Sequence, residues 1–116
     1  MKRIDAIIRP EKLQLVIQSL RKVGVTGFTV IPVQGRGQQK NATGVYRGTK
    51  YDISLHPKIK LEIVVSDQYI QPAVQAIIDS AQTGETGDGK IFVYNILEAY
   101  NIRTGQVDET IDELNN

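Results

Sequence analysis

The chain has 116 residues, 41% apolar and 23% charged, which is one domain's worth of sequence with enough apolar side chains to build a core. Its 14 basic and 13 acidic side chains leave a net charge of +1, so no bulk field recruits nucleic acid or an anionic membrane surface. There is no cysteine, which excludes a disulfide framework, a thiolate zinc site and a cysteine nucleophile.

Lys2 to Ile8 reads as a strand, with Ile4, Ala6 and Ile8 on one face and Asp5 and Ile7 on the other. Pro10 suits the opening of a helix, where a missing N–H costs nothing. Leu13, Val16, Ile17 and Leu20 then follow the spacing of one buried helical stripe, and Gly24 is the expected stop. Val25 to Val33 is rich in β-branched residues and predicts a second strand, ended by Gly35.

From Gly35 to Ser54 the pattern lapses into GRGQQKNATGVYRGTKYDIS, which predicts a long structureless insert. Lys58 to Val65 resumes strict alternation as a third strand. Asp67 to Gln82 predicts a second helix with Ile70, Ala73, Val74, Ile77, Ile78 and Ala81 on its buried face. Pro72 implies that this helix starts irregularly. Ile91 to Leu97 is the expected fourth strand, followed by a short segment and the acidic DETIDEL end, read as solvated or frayed.

The order strand, helix, strand, strand, helix, strand predicts an α+β, ferredoxin-like βαββαβ fold with one antiparallel sheet and both helices on one face. Ile7, Val64, Phe92, Tyr94 and Ile96 fall on the other face, which points to further copies of the chain as the cover. The insert joins two strands that should pair as a hairpin, and hairpin loops ordinarily take about 2–5 residues. Its length is therefore a functional signal.

Three segments could meet an anion. TGETGDGK, Thr83 to Lys90, brings three glycines and a lysine between helix and strand. Its spelling imitates a Walker A loop, but Ile91 stands where a serine or threonine must bind magnesium, and the loop runs helix-to-strand. NIRTGQ offers Arg103, and the insert offers Gly35, Gly37, Gln39, Lys40 and Arg47. Lys58 belongs near the far base of the insert. His56, the single histidine, reads as a turn residue beside Pro57, and no serine lies in a nucleophile elbow. An Asn41-Ala42-Thr43 sequon has no secretory context, because MKRIDAIIRPEK carries charges inside its apolar run.

KRIDAIIRPEKL, GRGQQK, YRGTKY, PKIKLEIVV, TGETGDGKIFV and NIRTG together resemble the nitrogen regulatory protein PII family over nearly the whole chain. The resemblance implies one domain over residues 1–116, with a T-loop at about 36–56 and a C-terminal segment at about 98–116. It implies a homotrimer with ATP or ADP in clefts between subunits. Ile7, Gly27, Thr29, Glu62 and Val64 would lie on the adenine and ribose side. Gly35, Gly37, Gln38, Gln39, Gly87, Asp88, Gly89, Lys90 and Arg103 would line the phosphate side. Gln39 would help hold magnesium and 2-oxoglutarate, Lys58 would pair with a 2-oxoglutarate carboxylate, and Tyr51 matches a tyrosine that many members uridylylate.

Three departures bear on function. Asn101 and Gln38 stand where many relatives carry phosphate-binding arginines, with Arg36 near enough to compensate in part; the loss should narrow any preference for ATP over ADP. Thr49 and Lys50 change the surroundings of Tyr51. The expected function is signal transduction: adenylates set the T-loop conformation, and the T-loop regulates a partner such as a membrane transporter. The expected location is cytoplasmic, peripheral at the membrane through that transporter. The expectation is a regulator and not an enzyme. The alternatives are a divergent energy sensor of a non-ammonium transporter that ignores 2-oxoglutarate, and a slow ATPase using the same cleft. A nucleic-acid-binding module lacks both the charge and a stacking pair of aromatics.

Overall fold

The structure, a computed structural model, describes residues 1–37, 45–46, 50–51 and 54–108, with only the backbone described for 45–46 and 50–51. Strand β1 (Lys2–Ile8) buries Ile4, Ala6 and Ile8, as its alternation requires. Arg9 is extended, the conformation that a following proline favours, and a 3-10 turn over Pro10–Lys12 leads into α1 (Leu13–Lys22). Val16 and Leu20 of α1 are buried, and Gly24 closes the helix at φ 92°.

Strand β2 (Thr29–Gly35) begins four residues later than its composition suggested. Val25 donates its N–H to Leu20 O at 2.9 Å, so it belongs to the closing turn of α1 and not to the ladder. Within the insert, β3 (Val45–Tyr46) and β4 (Lys50–Tyr51) pair with Val45 opposite Tyr51 and Tyr46 opposite Lys50. The insert is thus not wholly structureless. Strands of two residues are too short for alternation to reveal them.

Strand β5 (His56–Val65) opens two residues before Lys58, with His56 paired to Gly35; His56 is a strand residue, not a turn residue. A 3-10 turn over Asp67–Tyr69 precedes α2 (Ile70–Ala81), so Pro72 falls in the first helical turn, where its missing N–H is harmless. Ala73, Ala76, Ile77 and Ala81 are buried; Ile78, expected on that face, is 39% exposed, and Ala76 packs inward instead. Strand β6 (Gly89–Asn95) starts two residues before Ile91 and leaves Leu97 outside the sheet.

The sheet order is β2-β5-β1-β6, with every pair antiparallel, and α1 and α2 cover one face around Ile4, Ile63, Leu61, Val16, Leu20 and Ile77. This is the ferredoxin-like α+β fold. On the uncovered face, register sets Thr29, Glu62, Asp5 and Phe92 in one row across the sheet, and Ile31, Lys60, Ile7 and Lys90 in the next. Asp5 is 3% exposed there. Arg3 Nη2 donates to it at 3.1 Å, while Lys60 stands 4.0 Å from Asp5 and 3.1 Å from Glu62. The Arg3 guanidinium also lies 4.4 Å from the Tyr94 ring centre.

Candidate functional site

At the end of the sheet where β1, β2 and β5 meet the Thr83–Asp88 turn lies a cleft of about 620 Å³. It is lined by Ile7, Gly35, Arg36, Gly37, Lys58, Thr86, Gly87, Gly89, Lys90 and Phe92. Three of these side chains are cationic and none is a carboxylate, so the cleft favours an anion. Each element brings its part for a local reason. The extended β1 carries Ile7 onto the uncovered face, β2 ends at Gly35, and β5 places Lys58 on the same face as Lys60 and Glu62.

Gly89 has φ 116°, and a Cβ built there would stand 1.7 Å from Ile7 O. Glycine is therefore demanded by the β1–β6 packing itself, whatever the cleft holds. At Gly37 nothing lies within 4 Å of such a Cβ; its missing side chain simply leaves room.

The turn is tied from inside. Asp88 accepts from Thr83 N at 2.8 Å, from Gly84 N at 2.9 Å, from the Thr83 hydroxyl, and from Arg9 Nε at 3.1 Å. Arg9 Nη2 also donates to Thr86 O at 3.0 Å. The Asp88 carboxylate thus faces its own turn, and its part in the cleft is to shape the backbone. Lys58 is 9% exposed and donates to Gly87 O at 2.6 Å, which joins the base of the insert to the glycine turn. Burial lowers the Lys58 pKa, and the nearby Arg9 charge lowers it further.

Burial alone would raise the Asp88 pKa, but the donors of Thr83, Gly84 and Arg9 outweigh it and hold the carboxyl well below its ordinary 3.8. The folded carboxyl therefore titrates below the unfolded one. The stability it contributes is complete above about pH 4 and is lost as pH falls through the depressed folded value. Asp88→Asn is expected to flatten that acid limb in chemical denaturation measured from pH 6 down to pH 2.

Of the residues expected at a nucleotide, Ile7, Gly35, Gly37, Gly87, Gly89 and Lys90 line the cleft, together with Lys58. Gly27, Thr29, Glu62, Val64 and Arg103 are not in its lining; Thr29 and Glu62 face each other across β2 and β5. Arg103 lies in an exposed turn closed by Gly105 N to Asn101 O at 2.7 Å, and the Asn101 side chain accepts from Thr104 N at 3.2 Å. Asn101 thus has a bond of its own within that turn. Gln38 and Gln39, Lys40 and Arg47 lie outside the described residues, as does the Tyr51 side chain. Among the described residues no group of three or more His, Asp or Glu could hold a metal. Arg9 was not legible as a site residue, and Thr83 only as the first residue of TGETGDGK. The only sequence signal for Arg9 was its place before Pro10, which aims the chain and says nothing of a partner 79 residues away.

The fold and this glycine-and-cation cleft define a small ferredoxin-like domain with a cleft suited to an anion. The profile described as Nitrogen regulatory protein P-II matches residues 1–106, and the chain belongs to that family of regulatory, non-enzymatic signal transducers. It is 50% identical to the Nitrogen regulatory protein P-II of Pasteurella multocida over 109 residues, which are 94% of this chain and 97% of that one. It is 49% identical to the protein of the same name from Haemophilus influenzae, and 50% identical to Nitrogen regulatory protein P-II 1 of Escherichia coli strain K12, with the same coverage. No helix among the described residues is long and apolar enough to cross a membrane.

Proposed function

We propose that this regulator is a homotrimer that binds ATP or ADP in clefts between subunits and signals the bound state to a membrane transporter through its T-loop, at about 36–56. The observation that carries this reading is the division of the candidate residues. One set lines the cleft, and Gly27, Thr29, Glu62, Val64 and Arg103 of the same chain lie outside it. A site between two copies would bring the cleft residues of one chain together with candidate residues that lie outside the cleft on another.

The chemistry of the cleft fits a nucleotide. Lys90, Lys58 and Arg36 supply positive charge, and the glycines let backbone N–H groups approach a phosphate. With no acidic cluster among the described residues, magnesium would be held mainly by the phosphates, with Gln39 as a protein oxygen. The uncovered sheet face supports assembly. Arg3 and Lys60 balance Asp5 and Glu62, and Phe92 and Tyr94 beside them remain more than 40% exposed. A balanced cluster can be covered by other copies without burying net charge.

The test is calorimetric titration with ATP and ADP, each with and without magnesium and 2-oxoglutarate, on protein whose mass is measured by sedimentation. Saturable binding of both adenylates to a trimer is expected. Tighter ATP binding with 2-oxoglutarate identifies a nitrogen sensor; no such effect identifies an energy sensor. Absence of any adenylate binding overturns the proposal.

A further inference from the structure

Arg9 is not part of the cleft lining, yet it reaches the glycine turn at Thr86 and Asp88, as Lys58 reaches it from the lining at Gly87 O. Its extended backbone, set by Pro10, sends the guanidinium to two acceptors at once: Asp88 Oδ1 and Thr86 O. Both members of the ion pair are mostly buried, at 20% and 23% side-chain exposure, so solvent screens the pair less than a surface bridge. A trans peptide sets its C=O and the next N–H on opposite sides, so holding Thr86 O on Arg9 fixes the direction of the Gly87 N–H. Among the described residues, that N–H donates to no other backbone group, and Gly87 lines the cleft.

We propose that Arg9 is a positioning residue of the phosphate turn: it orients the Gly87 N–H through Thr86 O and cancels the Asp88 charge beside the anion. The inference rests on the adenylate reading above and adds the means by which the turn is made ready. Without the guanidinium, Thr86 O is released and a carboxylate without its cation stands behind a polyanion. The harm must then grow with the charge of the ligand, which a merely structural role would not produce.

The experiment measures affinities of the trimer for adenosine, AMP, ADP and ATP in the wild type, Arg9→Gln, Arg9→Lys and the double variant Arg9→Gln with Asp88→Asn. Arg9→Gln is expected to weaken ATP by about tenfold, in line with loss of a charge-assisted hydrogen bond, with smaller losses for ADP and AMP and none for adenosine. Adding Asp88→Asn removes the uncompensated charge and should restore part of the ATP affinity. Arg9→Lys keeps a charge but not the planar fork. It should flatten the dependence on ligand charge while the Gly87 amide resonance stays shifted from wild type. Melting curves establish that each variant is folded. Equal losses for all four ligands, or no loss for ATP, overturn the role of Arg9 while wild-type binding leaves the adenylate reading intact. A wild type that binds none of the four defeats that reading, and this inference with it.

Discussion

Gly89→Ala is expected to destabilise the fold by more than about 4 kcal/mol, because two independent penalties act at one atom. The first is conformational: φ 116° lies where side chains are rarely tolerated, at a cost of about 1–3 kcal/mol. The second is steric. The new methyl carbon would fall 1.7 Å from Ile7 O and 2.9 Å from Ile7 C, both backbone atoms that cannot rotate away. Relief requires separating β6 from β1 where Ile8 pairs with Gly89 and Ile7 with Lys90. Thermal unfolding followed by circular dichroism should show a midpoint lower by more than about 10 °C. Gly84→Ala is the matched control: its φ is 90° and nothing lies within 4 Å, so it isolates the conformational penalty, about 1–2 kcal/mol. Equal midpoints for the two variants would show that the close approach of β1 is not a constraint.

Lys90→Ala should do the reverse, sparing stability and removing ligand affinity. The side chain is exposed, lines the cleft and makes no ion pair among the described residues, so its removal breaks no ion pair there. Its charge is available to an anion. Loss of a charge-assisted contact of about 1.5–3 kcal/mol corresponds to a roughly tenfold to hundredfold weaker ATP complex. Calorimetry should show that loss with an unchanged melting midpoint. ATP affinity within twofold of wild type would remove Lys90 from the phosphate side. Against Arg9→Gln, the pair of variants separates a cation placed to touch the ligand from one that acts through the turn.

Much of the fold was legible because its signals are local. Alternation in β1 and β5, the stripe of α1 and the breakers Pro10 and Gly24 each depend only on neighbours within a few residues. Boundaries slipped where a hydrogen bond decided them. Val25 looks like a strand residue by composition, but Leu20 O holds it in the turn of α1. Ile78 and Ala76 exchanged places because the width of the buried stripe on α2 depends on how the helix sits on the sheet.

The site divides along the same line. The three glycines and the lysine of TGETGDGK could be read as an anion turn from their spelling, since backbone access and a positive side chain are properties of residue type. The family likewise follows from spelling, because its motifs run through nearly the whole chain. No spelling says that Arg9 and Asp88 meet, that Lys58 ties the insert to Gly87 O, or that Gly89 is needed first for packing against Ile7. These contacts join residues from 29 to 82 positions apart (Lys58 to Gly87, Ile7 to Gly89), and only the antiparallel order β2-β5-β1-β6 brings them together. The sequence by itself determined the two helices, the four strands of the main sheet, the family and the glycine-rich composition of the turn. The tertiary structure decided which side chains hold that turn in shape, because pair geometry depends on sheet register and not on the identity of either residue alone.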